Sequence, residues 1–355
     1  MSVYSNSDSA NIVLIVVHSV LTIVNIAGNF LVCIIIIKNR DMRNLLDYLL
    51  LNLAIADSST VIFLSPKYIF SHAFSHPEGS LGDALCIAVT GGNIGWVGAV
   101  TSVFCLVAIA AERYYAVVHP IKYVARPLRK RNLKVIITCT WILGVIFNIP
   151  AFIYRRYNEE RKYCINTWPS VWVGKAYSLS WLLLAVLSTS LMAVLYFRVA
   201  YTMWFKKEEH RRESNLRQRA VPRMRKRATL MVMLVSLVFG ICWVTDRTNY
   251  VIVHFYSPSD AFFSLAASNT LVLINSTINP IVYALVNHRF REKARMMLRR
   301  ICCPISNTAL PGADGPQVMA LQQRRTGGIP EQHSRLPSIT DNTQSSITEP
   351  PFYSM

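Results

Sequence analysis

The sequence predicts an all-α membrane protein: a seven-transmembrane helix bundle with an amphipathic eighth helix on the cytoplasmic side. Three observations carry that expectation. Of 355 residues, 52% are hydrophobic and 16% charged, whereas soluble domains carry about 25% charged residues. Residues 12–37 contain no Asp, Glu, Lys or Arg, and a helix of about 20 apolar residues crosses the hydrocarbon core. Comparable apolar runs follow at 48–66, 84–111, 133–154, 176–197, 228–245 and 261–286, which makes seven.

Charge placement is the third observation, and it orients the chain. Segment 206–227 holds ten Lys or Arg against Glu208, Glu209 and Glu213. Segment 119–134 holds six basic residues and no acid, 288–300 holds six against Glu292, and 1–11 holds none. Basic residues gather in cytoplasmic loops, so the N-terminus is expected outside and the three basic segments inside. An odd number of spans then puts the C-terminus inside. One external segment dissents, since 155–175 has five basic residues and two acids. Because the basic residues lie between spans, the net charge of +18 reads as topology and attraction to anionic headgroups, not nucleic-acid binding. The first run is too long for a cleavable signal peptide, and no small-residue cleavage site follows it.

Taken in order, the chain divides into a short external tail (1–10), the bundle (11–287), an amphipathic helix with a cysteine pair (288–303) and a disordered cytoplasmic tail (304–355). Span one carries Gly28-Asn29 in a greasy helix. Span two carries Asp57, which costs about 2.5–3.5 kcal/mol in mid-membrane and must face the bundle and find a partner. Span three has Gly91-Gly92-Asn93 and Gly95, small residues that let a helix or a ligand approach closely, then Ser102. It ends on Glu112-Arg113-Tyr114, a charge pair too expensive at that depth to be incidental. Span four contains Trp141 and ends near Pro150. Cys164 beyond it and Cys86 are the two external cysteines, so in an oxidising compartment they are expected to form a disulfide.

Span five ends near Tyr196. Span six carries Phe239, Trp243 and, near its outer end, the adjacent charges Asp246 and Arg247. These lie about 100° apart on a helix, so at least one should look into a cavity. Span seven holds Asn275, Asn279, Pro280 and Tyr283. Pro280 frees a backbone carbonyl that an asparagine side chain or water must satisfy. In 288–300, Phe290, Ala294, Met297 and Leu298 recur at helical spacing among Lys and Arg, as in a helix lying on the inner membrane surface. Cys302 and Cys303 follow as juxtamembrane candidates for palmitoylation. The tail 304–355 is rich in hydroxyls open to phosphorylation.

These residues resemble the rhodopsin-like (class A) family of G-protein-coupled receptors across 11–303, with Gly28-Asn29, Asn52 to Asp57, Glu112-Arg113-Tyr114, Trp141, Phe239…Cys242-Trp243 and Asn279-Pro280-Ile281-Val282-Tyr283 in the family's order. The resemblance implies a plasma-membrane receptor whose Arg113 pairs with Glu112 at rest and is released toward a heterotrimeric G protein as Tyr196 and Tyr283 swing in. It implies a toggle at Phe239 and Trp243. It further implies an allosteric sodium site at Asp57, Ser102, Asn275 and Asn279, with no cofactor required for activity, and a tail read by receptor kinases and arrestin. Thr245 and Ser188 stand where the family has prolines. Arg225-Lys226-Arg227 stands where many relatives have an acid, so a loosely held resting state is expected. Cys86 lies two residues farther from Arg113 than is usual, with a bulge expected at Gly91-Gly92.

Amine receptors of that family use an acid in the outer half of span three, and there is none from Cys86 to Ala111. Light receptors use a lysine in span seven, and 261–286 has none. The remaining polar groups, with Gly95 at the approach position, are Asp246, Arg247, Asn249, Tyr250, His254 and Asn269. Their mixed charges and amides suit a short peptide, with a small polar or lipid ligand as the alternative. A transporter would show repeated halves, and none is found. No nucleophile–base pair or metal-ligand cluster suggests an enzyme.

Overall fold

A computed structural model describes residues 8–42, 44–69, 76–120, 123, 130–160, 163–205, 216–256, 261–286 and 288–302. Among them are seven helices long and apolar enough to cross a membrane. Span one is Asp8–Lys38, span two Leu45–Leu64, span four Lys130–Tyr154 and span five Val171–Phe205. Span six is Leu216–Tyr256 and span seven Ala261–Val286. Several helices outrun their apolar runs, because backbone hydrogen bonding does not stop where the apolar side chains do.

Local chemistry sets the ends. Asn44 caps span two by accepting from the Asp47 amide at 3.0 Å while the Asp47 carboxylate accepts from the Asn44 amide at 3.2 Å, a reciprocal capping box. The helix ends at Leu64 because Pro66 has no N–H to continue the ladder, and a short turn, Pro66–Ile69, restarts on the proline. Span three is composite. Gly79–Leu85 leads into a wide π turn over Cys86–Thr90, and the main helix runs Asn93–Val118. Between them Gly92 has φ +77°, where a Cβ would be penalised. The extra length between Cys86 and Arg113 is taken up here.

Span three is central and packs on spans two, four and five; span one packs on two and seven, and span six on five and seven. Leu106, Ile109, Phe239 and Trp243 are fully buried in the middle. The outward faces are apolar instead: Ile23, Leu187 and Phe197 are each more than 60% exposed, a surface that only lipid would cover. The terminal helix, His288–Cys302, buries Phe290 and Ala294 and lays Met297 on the core.

One element goes beyond the expected all-helical architecture. β1 (Arg155–Asn158) and β2 (Tyr163–Asn166) form an antiparallel hairpin with Tyr157 opposite Cys164. The expected disulfide, Cys86–Cys164, ties it to span three with the Cα atoms 5.7 Å apart. The hairpin also accounts for part of the dissenting basic segment. Arg155 is buried and donates from Nε to Asn93 Oδ1 at 3.2 Å, and Arg156 faces Asp83 at 3.8 Å. Cys303 and the residues after it lie outside the described residues, as does the Cys302 side chain.

Candidate functional site

Beside the hairpin the bundle opens into a cavity of about 260 Å³. Lys67 reaches it from the turn after span two, Trp96 from span three, Trp181 from span five and Arg155 from the hairpin; Arg247, Tyr250 and His254 line it from span six and Asn269 from span seven. Asn269 donates to Tyr68 Oη at 2.5 Å, and His254 Nδ1 lies 2.9 Å from the Tyr250 carbonyl. Burial pulls the Arg155 pKa below its ordinary value, with Tyr250, Tyr177 and Tyr68 pulling the other way.

The floor of this cavity is an arginine held among aromatic rings. The Arg247 guanidinium lies 4.5 Å from the Trp96 ring centre, 4.8 Å from Trp181, and 5.4 Å from both Trp243 and Tyr250. Each face-on contact is worth about 0.5–2 kcal/mol depending on desolvation. On its other side Arg247 donates from Nε and Nη2 to the carboxylate of Asp246. Trp243 in turn stacks on Phe239, ring centres 5.4 Å apart. A continuous chain of contact therefore runs from the cavity through Arg247 and Trp243 to Phe239.

Deeper in the bundle, Asp57 is fully buried. Its carboxylate accepts from Ser102 Oγ at 2.8 Å and from Asn279 Nδ2 at 2.6 Å, with Ser276 as a further hydrogen-bonding neighbour. Asn275 is buried too, but among the described residues its Oδ1 has no hydrogen-bond partner, and neither has the Oδ1 of Asn279. Asn52 accepts from Trp141 Nε1 at 3.0 Å. Asn29 Nδ2 donates to the Ser276 carbonyl at 3.3 Å, and Gly28 lies directly against the Pro280 ring, where an added Cβ would come within 3.0 Å.

At the far end, Glu112 and Arg113 are both buried and bound to each other through paired N–H···O contacts. Tyr123 adds an O–H donated to Glu112 Oε1 at 2.7 Å. Tyr114 turns aside, edge-on to Tyr115 and His119. The buried Tyr196 Oη receives Ser236 Oγ–H at 3.3 Å. Tyr283 is buried with no hydrogen-bond partner for its hydroxyl among the described residues and packs against Phe290, ring centres 6.4 Å apart.

Residues 28–283 match the family model described as 7 transmembrane receptor (rhodopsin family). The Allatostatin-A receptor of Bombyx mori is 29% identical over 315 residues, covering 86% of this chain and 83% of that one. The Substance-K receptor of Homo sapiens is 30% identical over 301 residues, covering 80% and 71%. The QRFP-like peptide receptor of Branchiostoma floridae is 26% identical over 306 residues, covering 82% and 79%. The chain belongs to the rhodopsin family of seven-transmembrane receptors. It is a receptor and not an enzyme.

In this receptor, four residues expected around a ligand do line the cavity: Arg247, Tyr250, His254 and Asn269. Three stand elsewhere. Gly95 faces span two, where a Cβ would meet the Thr60 carbonyl at 2.9 Å and the Leu64 amide at 3.0 Å. It is a helix-packing glycine. Asn249 joins spans six and seven, donating to the Ser264 carbonyl and Ser268 Oγ at 3.1 Å each and accepting from Ser264 Oγ at 3.0 Å. Asp246 does not line the cavity; it accepts from the Arg247 guanidinium, so of the two adjacent charges Arg247 is the one that faces the cavity. Sequence reasoning missed Lys67, Trp96, Arg155, Trp181 and Tyr123. A signal existed for Arg155, since it lies in the one segment that broke the charge rule.

Proposed function

We propose that this receptor sits in the plasma membrane with its N-terminus outside, binds an extracellular peptide in the cavity beside the hairpin, and activates a heterotrimeric G protein at the Arg113 end. The observation that carries the reading is the cavity itself. It presents cations, amides and aromatic rings together, as a peptide's backbone and side chains require. The Branchiostoma relative is a peptide receptor by name.

In this mechanism the ligand acts on the Arg247–Trp243–Phe239 chain, because those contacts form the floor it rests on. Arg113 leaves Glu112 for the G protein, and Tyr196 and Tyr283 move toward the space it vacates. Tyr283 loses little by moving, since among the described residues its hydroxyl has no partner to give up. Asp57, Ser102, Asn275 and Asn279 are candidate holders of an allosteric sodium ion. The Oδ1 atoms of Asn275 and Asn279, unpartnered among the described residues, and the Asp57 carboxylate are oxygen donors suited to a hard cation, which would supply positive charge to offset the buried acid. The terminal helix rests on inner-leaflet lipid, Cys302 and Cys303 carry palmitate, and the tail meets receptor kinases and arrestin.

The test is a library of peptides, small polar metabolites and lipids applied to cells expressing the chain and read through several G-protein pathways. Activation by peptides supports the reading. Activation only by lipids or small metabolites would replace it, and ion flux without G-protein activation would point to a transporter.

A further inference from the structure

At the hairpin end of spans five and six, a basic residue stands outside the cavity. Lys175 lies in the second turn of span five and is half-buried. Its ammonium sits 4.8 Å from the ring centre of Phe255 on span six, and 5.2 Å from that of Trp172, one turn earlier on its own helix. None of the three lines the cavity. Among the described residues Lys175 makes no ion pair with an acid. Two ring faces hold the ammonium in place and leave N–H donors for an acceptor. The surface around it is aromatic and open: Trp172 is 74% exposed, and Tyr256, the last residue of span six, is 80% exposed. Trp and Tyr at the end of a span sit at the level of the lipid headgroups.

Below Lys175 the same face turns apolar. Leu179, Leu183 and Leu187 follow at four-residue steps and are each 40% exposed or more, so they continue one stripe of the helix from Lys175. From Lys175 to Leu187 that stripe runs about 18 Å at 1.5 Å per residue, more than half of the hydrocarbon core of about 30 Å. On span six, Ile252 is exposed one turn below Phe255. We propose that this face is a phospholipid site, with the headgroup phosphate on Lys175 and an acyl chain along Leu179, Leu183 and Leu187. The phosphate brings the negative charge that the aromatic rings do not, and basic groups between spans suit such headgroups. A free phosphate would use Lys175 alone and leave the leucine stripe uncovered, so the occupant is the lipid. In phosphatidylcholine the quaternary ammonium would meet the open rings of Trp172 and Tyr256. The site goes beyond the peptide reading and is independent of what enters the cavity.

The experiment has two arms. In the first, palmitoyl-oleoyl phosphatidylcholine is titrated into the purified full-length receptor in detergent, and retained lipids are counted by native mass spectrometry. The wild type is expected to hold one phosphatidylcholine about tenfold more tightly than Lys175→Gln, the size of one charged hydrogen bond. Lys175→Arg, which keeps the charge, retains the lipid and controls for damage to the helix end. A galactosyl diacylglycerol with the same chains and no phosphate is expected to bind wild type and Lys175→Gln alike. Equal phosphatidylcholine retention in wild type and Lys175→Gln overturns the proposal, and so does a loss in Lys175→Arg as large as in Lys175→Gln.

In the second arm, the receptor is placed in nanodiscs of phosphatidylcholine carrying a photoactivatable diazirine on one acyl chain, and the cross-linked peptides are mapped. Labelling is expected to concentrate on 176–187 in the wild type and to fall there in Lys175→Gln, with labelling of span one unchanged. Even labelling of every outward face, unaltered by Lys175→Gln, would show lipid solvation without a site. Excess inorganic phosphate is expected to leave the retained lipid of the first arm in place. Its displacement by phosphate would mean that Lys175 binds the anion alone and that the leucine stripe adds nothing, which also overturns the proposal.

Discussion

Asn29 on span one donates its side-chain amide to the carbonyl of Ser276 on span seven, the acceptor that Pro280 leaves without a helical donor four residues on. Two helices far apart in sequence are thus joined at the one backbone group that the proline exposes, and Gly28 beside it lets the Pro280 ring come close. Replacing Asn29 by Leu strands that carbonyl in a buried setting and is expected to cost about 1–3 kcal/mol. In a Pro280→Ala background the helix supplies its own N–H, and the same substitution should cost less. Thermal unfolding of the four proteins in a double-mutant cycle measures the coupling. Additive costs would mean that Asn29 acts elsewhere.

Arg113 is restrained by Glu112, and Glu112 is steadied by the Tyr123 hydroxyl. Tyr123→Phe removes one hydrogen bond to a charged group, worth about 1.5–3 kcal/mol. It should therefore shift the resting equilibrium toward the signalling state. Agonist-free G-protein activation should rise in Tyr123→Phe and rise further in Glu112→Gln. Arg113→Ala should abolish signalling while leaving ligand binding nearly intact. Unchanged agonist-free activity in both Tyr123→Phe and Glu112→Gln would show that the resting state is held by other contacts.

The spans were legible because a membrane dictates their length and polarity locally. The disulfide was legible because two cysteines shared one side. Pro280 announced that a carbonyl would need a donor, but which asparagine supplied it depended on how span one leans on span seven. Gly95 was misread for a related reason. A glycine has no side chain to reveal its neighbour, and here the neighbour is the Thr60 carbonyl and not a ligand. Lys67, Arg155 and Tyr123 are brought to their sites by a proline turn, a hairpin and the chain beyond span three. None of these leaves a periodic pattern in the sequence. The hairpin itself is two strands of four residues, too short to stand out and tied to the bundle by Cys164.

Asp57 provides a test of the ion reading. A sodium ion held there favours whichever state contains the intact site, so replacing sodium by choline should change agonist affinity in the wild type. Asp57→Asn keeps a side chain able to bond Ser102 and Asn279 but removes the charge, and should make affinity insensitive to the same exchange. Radioligand competition in the two salts reads this directly once an agonist is in hand. Equal sensitivity in Asp57→Asn would remove the site.

Asp246 and Arg247 form the most buried ion pair between described residues, with 0% and 3% of their side chains exposed. Such a pair is easier to replace whole than to break. Arg247→Met leaves the Asp246 carboxylate buried without its partner, and Asp246 Oδ1 already has no hydrogen bond, so the single substitution should cost about 3–5 kcal/mol. It also withdraws the cation from Trp96, Trp181, Trp243 and Tyr250, which adds to the loss. Asp246→Leu/Arg247→Met removes both charges together and should recover most of that stability while remaining unresponsive to agonist, because the cavity then lacks the group that couples it to Trp243. Melting curves separate the first effect, and G-protein activation at matched surface expression separates the second. A double variant as unstable as Arg247→Met would show that the aromatic contacts, and not the stranded acid, dominate the cost. A double variant that signals normally would show that Arg247 does not transmit the ligand to Trp243.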